Sequence, residues 1–173
     1  DNLGLQPVRN HSQVLVSDGG GVIQFANWNR LGSRLVRYAD LLQNGIGKLR
    51  KSWLMMDYGR KPGETGRKTG TLWSINDGSA HAGYSDYGDE TAEQIASIRT
   101  DLNAFTDAEF EILQNHGYLI AAQKMINMCP QLLPNSLPVV QIPFPQWSKA
   151  ASIAAALHLS PYRFVPFRKL RSQ

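Results

Sequence analysis

Two apolar runs of strand-like composition stand on either side of a long helical pattern. Residues 12–18 (SQVLVSD) lead into the turn sequence DGGG, and residues 69–76 (TGTLWSIN) follow a connection rich in glycine and lysine. Between them, apolar residues recur every three or four positions, as on one face of an amphipathic helix, at Trp28, Leu31, Leu35, Ala39, Leu42, Ile46, Leu49 and Trp53. Gly45 and Gly47 fall within this helix and are expected to bend or divide it. The first half therefore predicts a strand, a helix and a second strand.

The second half of the chain is predicted to be mainly helical. Residues 91–98 (TAEQIASI) form a short helix, and a longer one begins at Thr106, which with Glu109 makes a capping box, and ends at Pro130. Its apolar stripe is predicted at Phe110, Leu113, Gly117, Ile120, Met125 and Met128. Five prolines between residues 130 and 145 argue against packed secondary structure there. A short alanine-rich helix is expected from residue 148 or 149, before the aromatic and basic end PYRFVPFRKLRSQ.

The composition is that of an ordinary globular domain. Of the 173 residues, 42% are hydrophobic and 18% are charged, which excludes a disordered chain. Cys129 is the single cysteine, so no disulfide framework forms within the chain and nothing indicates an oxidising compartment. The longest apolar helix near the end, WSKAASIAAALHL, is well short of the ~20 residues of a membrane span. These features predict a globular chain without a membrane span, with a cytoplasmic or peripheral-membrane location.

The net charge of +4 is unevenly distributed. Ten basic and three acidic residues lie from Arg30 to Lys68, whereas nine acidic residues and one arginine lie from Asp77 to Glu111. No acidic residue follows Glu111, and six basic residues remain after it. Such asymmetry can steer an anionic partner, whether nucleic acid or lipid head group, and it is also typical of a solvated surface.

Two short motifs approach known functional patterns without meeting them. Ser85 lies in GYSDYG, where the second glycine comes one residue too late for a nucleophile elbow and no strand or helix directly flanks the loop. In GRKPGETGRKTG, Gly63 is followed five residues later by Lys68, but no helix opens behind it. Neither a serine nucleophile nor a phosphate loop is therefore predicted.

The other candidates for chemistry are isolated residues. The four histidines show no metal-ligand spacing, and a lone cysteine supplies no partner for zinc, so no metal site is expected. Asp18 follows the first predicted strand, where a catalytic carboxylate could lie, although Asp-Gly-Gly is also ordinary turn chemistry. The sequence contains no complete catalytic set.

The opening DNLGLQPV resembles the segment that directly follows the catalytic acid in patatin-like phospholipases. In many bacterial members the acid lies in an Asp-Gly-Gly turn that continues into Asp-Asn-Leu-Gly, and Asp1, Asn2, Leu3 and Gly4 match that continuation. VLVSDGGG, LLQNGIGKLRKSWL and GTLWSI are similar to the strand and turn, the helix and the strand that come next. IRTDLNAFTDAEFEILQNHGYLIA resembles the closing segment and helix, with the order Arg-Thr-Asp-Leu at residues 99–102 where the family has a Thr-Arg-Leu type. The resemblance covers roughly residues 1–128.

This resemblance implies a serine acyl hydrolase with a Ser-Asp dyad on a three-layer α/β sandwich, of which the chain is the C-terminal part. The serine, in a Gly-x-Ser-x-Gly elbow, and the acid are then expected upstream of Asp1, and the chain alone is expected to be inactive. Acyl esters such as phospholipids are the implied substrates, with no cofactor and no metal. Asp1, Asn2 and Gly4 would support the acid-bearing loop, or would simply be a polar N-terminus. Asp18 is an alternative acid that does not match the family position, because it follows the Asn-Leu-Gly motif instead of preceding it.

Two regions and several partners are expected on this basis. Residues 1–129 are predicted to belong to the hydrolase domain, and residues 130–173 to form a proline-rich segment and a basic aromatic tail. The tail could contact an anionic membrane surface through Arg163, Arg168, Lys169 and Arg171. A hydrolase of this kind is not expected to bind nucleic acid. Two alternatives remain: a non-catalytic basic module that binds anionic lipid or nucleic acid, and a parent protein whose upstream half lacks the serine.

Overall fold

The described residues form a mixed α/β structure with four helices and a two-stranded sheet. In this computed structural model they are residues 4–20, 31–79, 84–98, 104–136 and 139–160, without the side chains of residues 31–44. The strands are β1 (Gln13–Asp18) and β2 (Thr69–Ser74), and the helices are α1 (Leu31–Gly59), α2 (Asp89–Ala96), α3 (Asp107–Met128) and α4 (Ala150–Leu157). Short 3₁₀ turns occur at Pro7–Asn10, Ser85–Tyr87, Pro130–Leu132 and Pro145–Trp147. Among the described helices, none combines the length and the apolar character that crossing a membrane requires.

The two strands run parallel. The N–H of Thr69 donates to the carbonyl of Ser12 (2.8 Å), and the N–H of Ile75 donates to the carbonyl of Asp18 (2.9 Å). Parallel neighbours need a crossover connection, and α1 provides it. The predicted order of strand, helix and strand is confirmed. Of the two outcomes expected at Gly45 and Gly47, division of the helix is wrong, because α1 runs unbroken through both, and a bend stays a prediction.

The chain has two compact units. Unit 1 comprises residues 1–17 and 23–72, and unit 2 comprises residues 18–22 and 73–173. The core of unit 1 is small and consists of Leu5, Val14, Val16 and Leu54. The hydroxyl of Tyr58 donates to the carbonyl of Val14 (2.6 Å), which fastens α1 to β1. Gly70 lies so close to β1 that a Cβ at this position would collide with the same carbonyl.

Lys68, the lysine of the sequence that approaches a phosphate loop, has a structural role in unit 1. Its side chain is buried, and its ammonium donates to the carbonyls of Arg9 (2.6 Å) and His11 (2.7 Å). These two carbonyls lie at the end of the first 3₁₀ turn and just after it. The ammonium therefore ties the end of the connection between α1 and β2 to the segment that precedes β1.

The core of unit 2 draws residues from both sides of Cys129. It consists of Tyr87, Ile95, Ile98, Ile112, Leu119, Ile142, Ile153 and Leu157. The proline-rich segment contains only 3₁₀ turns among its described residues, yet Ile142 places it in this core. The alanine-rich helix is confirmed as α4. The predicted boundary at Cys129 thus runs between residues that share one cluster, and the assignment of residues 1–129 to a hydrolase domain stays a prediction.

The packed face of α3 differs from the predicted stripe. The capping box is confirmed, since the side chain of Thr106 accepts from the N–H of Glu109 (3.2 Å) and the carboxylate of Glu109 accepts from the N–H of Thr106 (2.7 Å). Phe110 and Met128, both assigned to the stripe, are exposed. Of the predicted stripe, Ile120 is buried and Leu113 packs partly buried against the core. The full set of buried residues is Glu109, Ile112, Asn115, His116, Leu119 and Ile120. Polar side chains can occupy this face because each finds hydrogen-bond partners there.

The predicted apolar face of α1 is likewise not its packed face among the side chains described, residues 45–59. Leu54 is buried and Tyr58 packs against the core of unit 1, whereas Ile46 and Leu49 are exposed. The periodicity identified an apolar face correctly but did not identify the face that unit 1 covers.

Candidate functional site

The residues predicted to support an acid-bearing loop lie at the edge of the described chain. Asp1 and Asn2 fall outside the described residues. Gly4 has a left-handed backbone (φ +59°) with open space where a Cβ would project. This conformation suits a glycine in a tight loop, because glycine adopts it without steric cost. The role of Asp1, Asn2 and Gly4 in such a loop stays a prediction.

Asp18, the alternative acid, is the last residue of β1 and is largely buried. Its carboxylate Oδ1 accepts from the backbone N–H of Gly20 (3.0 Å). The side chain of Asp18 therefore stabilises the Asp-Gly-Gly turn in which it lies. Its backbone carbonyl accepts from Ile75, directly after β2. Asp18 therefore lies at the carboxyl end of a parallel strand, the edge at which open α/β sheets bind ligands.

A second carboxylate lies at the carboxyl end of β2. Asp77 Oδ2 accepts from the backbone N–H of Ser74 (3.2 Å) and lies 3.2 Å from the ammonium of Lys124 on α3. Both side chains of this ion pair are about one-third exposed, so solvent weakens their attraction. The pair fixes α3 against the turn after β2.

His116 of α3 reaches the same turn from the interior of unit 2. Its Nε2 lies 2.7 Å from the carbonyl of Ile75, whose N–H in turn donates to Asp18. Because a carbonyl only accepts, Nε2 carries the proton in this bond and Nδ1 is the acceptor nitrogen of a neutral ring. Ile75 thus connects Asp18 and His116 through its backbone.

The environment of His116 favours the neutral imidazole. The residue is only 2% exposed, and burial lowers its pKa from the ordinary value; the bond to Ile75 and the negative charge of Asp77 oppose this shift in part. The imidazole stacks on the ring of Tyr87 at 6.2 Å. Nδ1 is buried and has no hydrogen-bond partner among the residues that the structure describes. A buried acceptor nitrogen without a donor is rare in folded proteins.

Next to His116, Asn115 clamps the proline-rich segment to α3. Its amide group donates to the carbonyl of Phe144 (2.8 Å) and to the hydroxyl of Tyr87 (3.1 Å), and its carbonyl oxygen accepts from the N–H of Phe144 (2.9 Å). The hydroxyl of Tyr87 donates onward to the carbonyl of Trp147 (2.8 Å), whose indole N–H donates to Glu111 (2.7 Å). Sequence reasoning missed this network. The available signal was the run of three polar residues, Gln114, Asn115 and His116, in the otherwise mainly apolar segment ILQNHGYLI.

The described part of the site does not assemble a catalytic set. A neutral imidazole with an available lone pair is what a general base needs, yet no described serine, threonine or cysteine bonds to Nδ1 of His116. Cys129 is buried, and burial raises the pKa of its thiol, so it is a poor nucleophile. Ser160 donates to Glu109 (2.6 Å), but both side chains are enclosed in the core.

Metal binding is not supported by the described side chains. They contain no group of three or more histidine, cysteine, aspartate or glutamate residues placed to hold a metal ion. Asp18 and Asp77 instead have backbone and lysine partners that account for their positions.

Comparison with protein-family models, with curated proteins and with solved structures finds no match to this chain.

Proposed function

We propose that this chain is the C-terminal part of a patatin-like lipid acyl hydrolase domain. The observation that carries the proposal is the parallel unit of β1, α1 and β2. Three segments that resemble consecutive parts of the family, VLVSDGGG, LLQNGIGKLRKSWL and GTLWSI, coincide with β1 and its turn, with α1 and with β2, in that order. The type and the order of these three elements agree with those of the family segments that they resemble.

The size of the sheet supports the same proposal. Parallel sheets in globular proteins usually have more than two strands and are covered on both faces. Every second residue of β1 is buried, and those between are exposed, including the apolar Leu15. A larger three-layer α/β sandwich would supply further strands beside this pair and helices on the exposed face.

In the proposed parent domain, the chemistry is carried by residues that precede Asp1. An aspartate in the Asp-Gly-Gly turn would activate a serine in a Gly-x-Ser-x-Gly elbow, and backbone N–H groups would stabilise the oxyanion during acyl transfer. The substrates would be acyl esters such as phospholipids, with no metal or cofactor. Asp1, Asn2 and Gly4 would hold the acid-bearing turn. Asp18 would keep the structural role that its bond to Gly20 indicates.

The coding sequence immediately upstream of Asp1 tests this proposal first. We expect an in-frame Asp-Gly-Gly turn directly before Asp1 and a Gly-x-Ser-x-Gly elbow further upstream. The longer protein should then hydrolyse a short-chain ester and react with a fluorophosphonate probe, whereas the 173-residue chain should do neither. An unrelated upstream sequence would refute the proposal. The elbow without its serine would identify a pseudoenzyme.

A second candidate function is a basic module that binds polyanions, and the charge of unit 1 favours it. Unit 1 contains eleven basic and four acidic residues, a net charge of +7, whereas unit 2 contains seven basic and ten acidic residues, a net charge of −3. A net charge of this size in a small unit attracts anionic surfaces. Binding of the chain to heparin that weakens with added salt would support this function, and no retention at low salt would exclude it.

A further inference from the structure

The described part of α1 presents a stripe of apolar side chains to solvent. Ile46, Leu49, Trp53 and Met56, which we call the exposed stripe, follow spacings of three, four and three residues and so share one side of the helix. Leu49 is 72% exposed, Met56 67% and Ile46 49%, and Trp53 is half-buried. Isolated exposed apolar residues are common, but a continuous row of them on one helix face indicates an interaction surface.

The exposed stripe is separate from the face by which α1 packs. Leu54 and Tyr58 contact the core of unit 1, and they lie about a quarter of a turn or more from the stripe on the helix circumference. A substitution on the stripe therefore removes apolar surface without opening the core. This separation makes the surface testable with variants that fold.

Exposed cations outnumber exposed carboxylates beside the stripe. On residues 45–59 of α1 the only carboxylate is Asp57, which is buried and accepts from the guanidinium of Arg60 (3.0 Å). Lys48 is exposed; just after the helix Arg60 and Lys61 are exposed too, as is the carboxylate of Glu64, which accepts from the N–H of Lys61 (3.0 Å). The guanidinium of Arg9 lies over the ring of Trp53, 4.8 Å from its centre, and adds a cation directly on the stripe.

We propose that the exposed stripe docks α1 onto an anionic lipid surface. An amphipathic helix lies in the plane of a membrane when its apolar side chains enter the acyl boundary and neighbouring lysines and arginines meet anionic head groups. Tryptophan and arginine favour that boundary because each has an apolar body and a polar tip. This inference deepens the second candidate function and rests on it, because it names the anion and the surface that meets it. It does not depend on hydrolase activity.

A second copy of the chain is a less suitable occupant. A symmetric contact through the stripe would bring Lys48 and Arg9 of both copies together with no exposed carboxylate on this part of α1 to neutralise them. Like charges across an interface oppose association. An anionic lipid surface buries the apolar side chains of the stripe and also attracts the neighbouring cations.

Sedimentation of the full 173-residue chain with vesicles tests the proposal. The vesicles contain phosphatidylcholine and phosphatidylglycerol in equal amounts, and phosphatidylcholine alone is the reference. We expect binding to the anionic vesicles only. Leu49→Ser should lower that affinity roughly tenfold, because it removes one leucine from the acyl boundary. Met55→Ser is the matched control: Met55 is 52% exposed on the same helix but lies off the stripe, so its loss should leave the affinity unchanged.

The possible results distinguish lipid docking by the exposed stripe from the second candidate function, the binding of polyanions. Equal affinity of the Leu49→Ser and Met55→Ser variants, with anionic vesicles still bound, would overturn docking by the stripe and leave a purely electrostatic module. Absence of binding to heparin and to anionic vesicles alike would overturn the second candidate function as well. A dimer of the wild-type chain in size-exclusion chromatography that Leu49→Ser dissociates would assign the stripe to a second copy and overturn the lipid proposal.

Discussion

Replacing Asn115 by alanine should destabilise unit 2 strongly, because this one side chain connects α3 to the proline-rich segment. The substitution removes three hydrogen bonds, two to the backbone of Phe144 and one to the hydroxyl of Tyr87. A hydrogen bond contributes about 1 kcal/mol net to the free energy of unfolding, and a buried group left without a partner costs more. Asn115 is fully buried, whereas Phe144 is half-buried and can regain some contact with water. We therefore expect a loss of about 3 kcal/mol.

The measurement is urea unfolding followed by tryptophan fluorescence and by circular dichroism. Gln114→Ala is the matched control, since Gln114 is the preceding residue, carries the same amide group and is exposed. Its removal should change the free energy of unfolding by less than about 0.5 kcal/mol. A loss below about 1 kcal/mol for Asn115→Ala would refute the reasoning, because three hydrogen bonds of a fully buried side chain would then contribute almost nothing.

Tyr87→Phe tests whether the contacts act as one network. This variant loses the bond donated to the carbonyl of Trp147 and the bond accepted from Asn115, so a loss of about 1–2 kcal/mol is expected. Because Asn115 and Tyr87 share a hydrogen bond, the double variant should lose less than the sum of the single losses. Strict additivity would show that the amide and the hydroxyl stabilise unit 2 independently.

Three further predictions concern single residues. Gly70→Ala should lower the free energy of unfolding by about 2–4 kcal/mol, because the φ of +151° and the nearby carbonyl of Val14 leave no room for a methyl group. Thermal or urea unfolding measures this loss, and a variant as stable as the wild type would contradict the prediction. Lys68→Met keeps the apolar part of the side chain but loses two hydrogen bonds, so it should lower the free energy of unfolding by about 1–2 kcal/mol. Lys61→Met, at an exposed position, should leave the free energy of unfolding unchanged. Burial holds the pKa of His116 below its ordinary 6.5, so the unfolded chain takes up this proton first as pH falls. The contribution of His116 to stability is therefore full well above pH 6.5 and declines as pH falls through and below that value. Because Gln carries a donor and does not titrate, His116→Gln should reduce that decline, and an unchanged slope would contradict the assignment.

The sequence was sufficient to predict those helices and strands whose signals come from neighbouring residues. β1 and β2 were predicted from short apolar runs beside turn residues, and α3 from the capping box of Thr106 and Glu109 followed by a terminating proline. These signals depend on the conformational preferences of neighbouring residues, so they are readable without tertiary contacts. The position of Asp18 at the end of β1 was predicted for the same reason. Local signals do not specify that the two strands pair in parallel, because the paired residues lie more than fifty positions apart.

Local sequence signals could not predict which face of a helix packs against a core. Apolar residues lie on several sides of α3, and its packed face is set by partners far along the chain: Asn115 pairs with Phe144 and His116 with Ile75. Sequence periodicity gives no weight to a polar residue whose partner is distant. On α1 the periodicity located an apolar row at Ile46 and Leu49, but the core of unit 1 is met by Leu54 instead.

Coverage of the exposed stripe by the rest of a larger domain and docking of the stripe on lipid make opposite demands on Leu49. If the remainder of a hydrolase domain covers Leu49, then Leu49→Ser should destabilise the longer protein by the cost of losing a buried leucine side chain, about 2–5 kcal/mol for such truncations, and leave the 173-residue chain nearly unaffected. If the stripe meets lipid, the same substitution should leave the stability of both proteins unchanged and weaken vesicle binding by both. One variant in two proteins therefore separates a face that is covered within a larger domain from a face that is kept free for a membrane. The comparison needs no knowledge of the substrate, because stability and vesicle affinity are both measured without catalysis.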